Sequence, residues 1–433
     1  MNTNYKLLQY IQESPTSFHA VEGIRKRLLE QGFVELQEKS NWTIQNGGKY
    51  FVTRNQSALM AFQIPEGKAT GFQMVLSHCD SPCFRLKENP EISALGVYTK
   101  LNVEGYGGAL LAPWFDRPLS LAGRVMIKTP KGIMPILVNA DKDLLMIPSL
   151  AIHMNPGVNK GNALNIQEDM LPIMGMGELS VKSEMAKRLD IPPEDILGMD
   201  LFVYNRDQGR VWGARDEFIA SPRLDNLLSV YGSYAGFVAS VPKGAIPVLG
   251  IFDNEEVGSG TAQGACSTFL KDTLWRIVNA TGGEHRDYLK LLAQSFAISS
   301  DNAHGAHPNA MTKADPNLRP QLNGGIVIKH SANQKYTSDG LSSALCRLLC
   351  DQTGVPYQEF SNRSDMPGGS TLGNLSLSQV AVTSVDIGLP QWAMHSPYES
   401  AGAEDIKYLI QLSKAFFSTA LDIQEDGIVG WKK

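Results

Sequence analysis

Short apolar runs in this chain repeatedly end on residues able to hold a hard metal ion. Gln73-Met74-Val75-Leu76 leads to His78 and Asp80, Pro247 to Phe252 leads to Glu255 and Glu256, and Ala297-Ile298 leads to Asp301. Two more segments, Ser221-Pro222-Arg223-Leu224-Asp225-Asn226 and Ala393-Met394-His395-Ser396, carry Asp225 and His395. Open α/β sheets build their sites at the carboxyl ends of buried strands, so this pattern constrains the fold first. Imidazole and carboxylate donors without thiolates suit zinc, manganese or cobalt rather than an iron–sulfur cluster. The set points to two-metal hydrolysis.

The rest of the chain fits such a sheet. Two helices are expected over 4–31, where Phe18, Val21, Ile24 and Leu28 recur at helical spacing and Gly32 supplies the stop. Strands follow at Lys49 to Thr53, Ala58 to Ile64 and Phe72 to Ser77. From about 85 to 217 the texture becomes β-rich, with strands expected at 93–103, 117–128, 132–138 and 201–204 and one helix near 183–189. Helix–strand alternation resumes after Ser221. Helices are predicted near 226–239, 261–278, 284–295, 338–352 and 402–421, and strands near 246–252, 296–300, 325–330, 356–360 and 380–387. Strands separated by helices imply a mostly parallel sheet flanked by helices. His78 and Asp225 must meet across the β-rich stretch. The economical reading is therefore one α/β unit formed by 1–84 and 218–433, interrupted by an inserted β-rich domain at 85–217.

Composition removes several function classes. A net charge of −5 gives no basic field for phosphates, so nucleic acid is not expected as a partner. No apolar run reaches the length of a membrane span, and Met1-Asn2-Thr3-Asn4-Tyr5-Lys6 lacks the build of a signal peptide. Five cysteines without a CxxC pair fit a reducing, cytoplasmic setting. Cys346 and Cys350, four apart on an apolar helical stretch, should face one core as thiols. Cys79 and Cys83 lie near the first donor segment, but a dithiolate site would leave the surrounding carboxylates without a role.

Spacing suggests a division of labour. His78 and Asp80 are two apart and point the same way on an extended strand end; one can ligate while the other receives the ring's second N–H. Adjacent carboxylates such as Glu255 and Glu256 repel unless a cation takes one of them. Glu256 then serves as a ligand and Glu255 as a general base. Asp225 is a candidate bridge, since a carboxylate can hold both ions of a pair.

Longer motifs surround these donors: Ile147-Pro148-Ser149-Leu150-Ala151-Ile152-His153-Met154-Asn155, Asp253-Asn254-Glu255-Glu256-Val257-Gly258-Ser259, Asp301-Asn302-Ala303-His304-Gly305-Ala306-His307-Pro308-Asn309 and Leu389-Pro390-Gln391-Trp392-Ala393-Met394-His395-Ser396. With them the chain resembles, essentially end to end, the dinuclear-zinc aminopeptidases and most closely the aspartyl aminopeptidase family. The resemblance implies that His78 and Asp301 hold one metal, Glu256 and His395 the other, and Asp225 both. Asp80 would orient His78, and Glu255 would deprotonate the water and return the proton to the leaving amine. It also implies a cis Asp225–Asn226 peptide and a cleft lined by the backbone of Gly369-Ser370-Thr371. His153 and His307 would complete the substrate site, with His153 donated by a neighbouring subunit. Lys329, which sequence alone would leave as a solvated strand-end lysine, would face the substrate's first side chain and select Asp or Glu. The implied assembly is a dimer through the inserted domain, extended to a tetrahedral dodecamer that admits short peptides.

Other readings compete. Related folds with this ligand set include carboxypeptidases and deacylases, and an aminopeptidase of broader or neutral preference would share every ligand. A non-catalytic shell or cargo protein would tolerate loss of Glu255 or a ligand, and none is lost.

Overall fold

A computed structural model describes residues 2–161 and 163–432; the domain limits at Met1 and Lys433 and the signal-peptide reading at Met1 fall outside them. Among the described residues a nine-stranded sheet runs in the order Val34–Leu36, Lys49–Arg54, Ala58–Gln63, Ile246–Phe252, Phe72–His78, Phe296–Ser300, Thr383–Gly388, Ile326–His330, Tyr357–Ser361. Its middle strands, from Ile246–Phe252 through Thr383–Gly388, are all parallel. Antiparallel pairings on either side of them make the sheet mixed. Ile246–Phe252, Phe72–His78 and Phe296–Ser300 are buried along their whole length, which is why they read as continuous apolar runs rather than alternating ones.

Helices cover both faces. Thr3–Gln12, Ser17–Glu30, Leu224–Val238, Gly340–Thr353 and Asp405–Phe417 close one side over a large apolar cluster. Phe269–Ala280 packs on the other side over a second cluster, with His285–Ala293 beside it. Helices Leu224–Val238 and Asp405–Phe417 touch closely at Gly236, where an added Cβ would sit 2.5 Å from Ser413 Cβ. A separate six-stranded antiparallel sheet is built wholly from residues 83–205 and has its own apolar cluster. A smaller five-stranded sheet joins Arg210–Trp212, Phe218–Ser221, Glu399–Gly402, Pro390–Trp392 and Ala303–His304.

Two expectations need correction. The strand expected over 93–103 is instead a hairpin of Cys83–Ala94 and Tyr98–Tyr106, turning at Leu95 and Gly96, which both take positive φ. The helix expected from 261 starts only at Phe269, because the preceding Gly-rich stretch folds as turns. Cys346 and Cys350 are buried together in the first cluster, as the helical spacing predicts. No helix among the described residues is long and apolar enough to cross a membrane.

The first cluster is densely aromatic at one end, where Phe416 meets Phe296, Phe417 and Trp431. Phe416→Ala should lower the unfolding free energy by roughly 3–5 kcal/mol, measured by denaturant titration. A loss below about 1 kcal/mol would mean that this packing is not a structural anchor.

Candidate active site

Three adjacent parallel strands deliver side chains to one edge of the large sheet. Phe72–His78 ends on His78, Ile246–Phe252 runs into the turn bearing Glu255 and Glu256, and Phe296–Ser300 is followed at once by Asp301. Asp225 arrives at the start of helix Leu224–Val238, and its peptide bond to Asn226 is cis. His395 comes from the loop between Pro390–Trp392 and Glu399–Gly402. All of these line one cleft of about 350 Å³, together with Lys329, Tyr336 and the segment Gly369-Ser370-Thr371.

Asp225 divides the cluster. Its Oδ1 lies 3.6 Å from His78 Nε2, and Asp301 Oδ1 lies 3.5 Å from the same nitrogen. Its Oδ2 lies 3.7 Å from His395 Nε2, which is 3.4 Å from Glu256 Oε2. One carboxylate therefore faces two imidazole–carboxylate pairs. Donors each 2.0–2.1 Å from a tetrahedrally held zinc ion stand about 3.3–3.4 Å apart, close to these separations. Asp225 Oδ1 and Glu256 Oε1 are buried with no hydrogen-bond partner, and unpaired buried carboxylate oxygens are costly. His78, Asp225 and Glu256 each offer a ligand atom within 4.8 Å of the others. Donor types, spacing and orphaned oxygens all fit divalent cations. Cys79 does not join them: its Sγ faces the carbonyls of Ser57 and Ser17 at 3.4 and 3.9 Å.

Neighbouring groups fix these side chains. His395 Nδ1 donates to the Gly108 carbonyl at 2.9 Å, which turns Nε2 toward Asp225 and Glu256; His78 Nδ1 lies 3.1 Å from the carbonyl of Asp80 and 3.3 Å from its Oδ1, which turns its Nε2 toward Asp225 and Asp301. Asp80 also accepts the backbone N–H groups of Glu255 and Glu256, each at 3.1 Å, and the Tyr106 hydroxyl at 2.8 Å. Sequence reading missed Glu399. Buried at 2 % exposure, it accepts the Asp225 N–H at 2.9 Å through Oε2 and the His395 N–H at 2.8 Å through Oε1. The only sequence signal was its position four residues after His395. Tyr106 and Gly108 were missed as well, their one hint being the Gly107-Gly108 pair that ends a strand.

Lys329 is not a solvated strand end. Tyr357–Ser361 pairs beyond its strand, and the side chain is 3 % exposed. Its Nζ donates to the Asp301 carbonyl at 2.7 Å and lies 3.8 Å from Asp301 Oδ2. His153 and His307 are both exposed and do not line the cleft of their own chain. His307 packs against Trp392, with ring centroids 6.3 Å apart.

Crowded carboxylates shift one another's ionisation. Burial, then Asp301, raises Asp225 to about 6. Burial raises Glu255 to about 8, with Asp301, Asp80 and Asp225 adding to it against His78, and burial, then Asp225, carries Glu256 well above the carboxylate range. Burial opposes the charged forms of His78 and Asp301, but their partners outweigh it. His78 is held well above its ordinary value by Asp301 and Asp80, and Asp301 is brought to about 2 by Lys329 and His78.

An α/β sheet with a buried carboxylate–imidazole cluster at its strand ends defines a class, that of hydrolases suited to metal ions. The comparisons give the family. Residues 10–417 match the family described as aminopeptidase I zinc metalloprotease (M18). The chain is 46% identical over 423 residues to a probable M18 family aminopeptidase 2 of Clostridium acetobutylicum, covering 95% of this chain and 98% of that one. It superposes on a chain of the Ape4 and Nbr1 complex with a TM-score of 0.92 at 36% identity, covering 96% and 85% of the two chains. A chain of the S. cerevisiae mApe1 dodecamer matches with a TM-score of 0.83 at 25% identity, covering 96% of each. The chain belongs to the M18 family and is an aminopeptidase, a peptide hydrolase.

The raised carboxyls make a prediction about stability. With divalent ions stripped by a chelator, Asp225 (about 6), Glu255 (about 8), and Asp253 and Asp405 (each about 7, raised chiefly by burial) bind protons in the folded chain that they release on unfolding. His78, raised, acts in the same sense, whereas His19, lowered by burial to about 4, acts oppositely below about 6.5. The folded state holds more protons, so stability falls as pH rises from roughly 4 to 8. The chelated protein should melt at a lower temperature at about pH 8 than at about pH 5.5, and added zinc should narrow the gap. A chelated protein more stable at the higher pH would contradict the assignment.

Proposed function

We propose that this aminopeptidase removes the N-terminal residue, preferably Asp or Glu, from short peptides, using two metal ions and Glu255 as general base. The observation that carries the reading is Asp225, whose two oxygens face different imidazole–carboxylate pairs. His78 and Asp301 would hold one ion, Glu256 and His395 the second, and Asp225 both. Zinc, or manganese or cobalt in its place, supplies there the positive charge that acidifies water and polarises the peptide carbonyl.

The chain's own groups do the rest. Glu255 lines the cleft beside the ligands without being needed as one. Its carboxylate takes the proton of the attacking water and hands it to the leaving amine. Burial keeps its proton affinity high, and nearby cations would bring it down toward the working pH. Asp80 sets the tautomer of His78 and, through the two backbone N–H groups it accepts, the position of Glu255 itself. Lys329 presents a buried positive charge at the cleft wall. A substrate carboxylate meeting that charge gains a charge-assisted contact that a leucine side chain cannot make.

Residues 85–217 are read as an inserted pairing domain on a catalytic domain of 1–84 and 218–433. Its separate apolar cluster supports the division. His153 sits in an exposed loop between Ile152 and Met154, 48% and 72% exposed, with Leu150 at 57%. Such apolar exposure marks contact surfaces, and a second copy seated there would bring His153 to its neighbour's cleft, near His307. The S. cerevisiae relative is a dodecamer, which supports self-association; dimers assembled into a tetrahedral dodecamer would limit substrates to short peptides. The net charge of −5 argues against nucleic acid partners, and the cysteine usage suits a cytoplasmic setting.

Glu255→Gln should retain its metal ions yet lose turnover by roughly 10²–10⁴-fold, read by steady-state assay beside elemental analysis. Near-full activity would refute the base assignment. Lys329→Met keeps the stem and removes the charge. Its kcat/KM on an Asp-anilide should fall at least about 10-fold further than on a Leu-anilide, as expected for a lost charge-assisted contact. Equal losses on the two substrates would give Lys329 a structural role and favour a broad side-chain preference.

A further inference from the structure

We propose that Tyr106 is a positioning residue through which the six-stranded sheet sets the geometry of the metal cluster; the proposal rests on the two-metal reading above. Tyr106 ends strand Tyr98–Tyr106 of that sheet. Its hydroxyl donates to Asp80 Oδ2 at 2.8 Å and accepts from Asn254 Nδ2 at 2.9 Å. It thus ties the carboxylate behind His78 to the turn that carries Glu255 and Glu256.

Asn254 is itself clamped. Its Oδ1 accepts from Thr261 Oγ1 at 2.7 Å and Gln263 Nε2 at 2.8 Å, so its amide can point only toward Tyr106. Asp80 Oδ2 is shared between the Tyr106 hydroxyl and the Glu256 N–H. Without the hydroxyl, Asp80 keeps its backbone donors but loses the contact that fixes its plane, and Asn254 Nδ2 loses its acceptor. The ring packs edge-on against Phe202 of the same sheet, 5.5 Å between centroids, and Phe202 in turn meets Phe18 of helix Ser17–Glu30.

The next two residues extend the same arm. Gly107 has φ of 72°, and a Cβ there would lie 3.0 Å from Glu256 Cβ and 3.5 Å from Pro82 Cα. Only a glycine lets the backbone pass this close to Glu256. Gly108 then accepts from His395 Nδ1. Within three residues the arm reaches the supports of one ligand, His78, the flank of a second, Glu256, and the ring of a third, His395. A sheet proposed above to pair chains is thereby joined to the chemistry by hydrogen bonds.

The test compares Tyr106→Phe with Tyr98→Phe, a phenol lost from the same strand where it is 40% exposed. Zinc retention is measured by elemental analysis after dialysis against buffered free zinc, alongside kcat, KM and circular dichroism. Tyr106→Phe should bind zinc roughly 10–100-fold more weakly, with kcat reduced and KM nearly unchanged, and Tyr98→Phe should match the parent. Excess zinc should restore the ion content of Tyr106→Phe. Parental zinc retention and kcat in Tyr106→Phe would overturn the proposal, as would loss of its fold, since the hydroxyl is assigned no part in the core. Glu256→Gln, measured in parallel, separates the two levels. If it too keeps its zinc, the two-metal reading has failed; if it loses zinc while Tyr106→Phe does not, only the role of Tyr106 has.

Discussion

Asp225, Glu256 and Asp301 are carboxylates brought together, with Glu255 beside them, in one cleft where their own side chains are almost wholly buried. Like charges repel strongly where solvent screening is reduced, and the fold answers them only in part. Lys329 answers Asp301, His78 stands between Asp301 and Asp225, and Asp225 Oδ1 and Glu256 Oε1 are left without a hydrogen bond. The elevated proton affinities of Asp225, Glu255 and Glu256 express the same stress. A chain that buries so much negative charge, and turns two imidazole Nε2 atoms into it, is suited to cations.

Rigid elements hold that arrangement open. The donors come from the ends of parallel strands whose flanks are fully buried, so little backbone motion can relieve the repulsion. Two further acids clamp the backbone. Glu399 grips the backbone at Asp225 and His395, and Asp80 grips it at Glu255 and Glu256. Each carboxylate accepts N–H groups, which stabilises its charge while fixing where the next side chain emerges. The six-stranded sheet contributes through Tyr106 and Gly108, so the cleft is assembled from parts far apart in sequence.

Much of this was legible because the signals were physical and local. A fully buried parallel strand leaves an uninterrupted apolar run, and a donor just after it falls at the strand's carboxyl end; His78, Glu256 and Asp301 follow that rule. The hairpin of Cys83–Ala94 and Tyr98–Tyr106 was obscured because its first strand carries Arg85, Lys87, Glu88 and Glu91 on exposed or half-exposed positions, while Leu95 and Val97 disguise the turn as strand. Lys329 looked like a solvated end because nothing in Ile326–His330 reveals that Tyr357–Ser361 will pair outside it. Glu399 and Tyr106 were not readable. Their roles depend on meeting Asp225 and Asp80 across 174 and 26 residues, and a lone acid or phenol carries no trace of such a partner.

In the proposed site Asp225 faces two cations at once. The most direct test is a crystal of zinc-loaded protein measured at wavelengths on either side of the zinc absorption edge. Two anomalous peaks per chain are expected, roughly 3.5–4 Å apart, one between His78 and Asp301, the other between Glu256 and His395, with one Asp225 oxygen directed at each. A single peak under zinc-replete conditions, or two peaks with Asp225 turned toward only one, would contradict it.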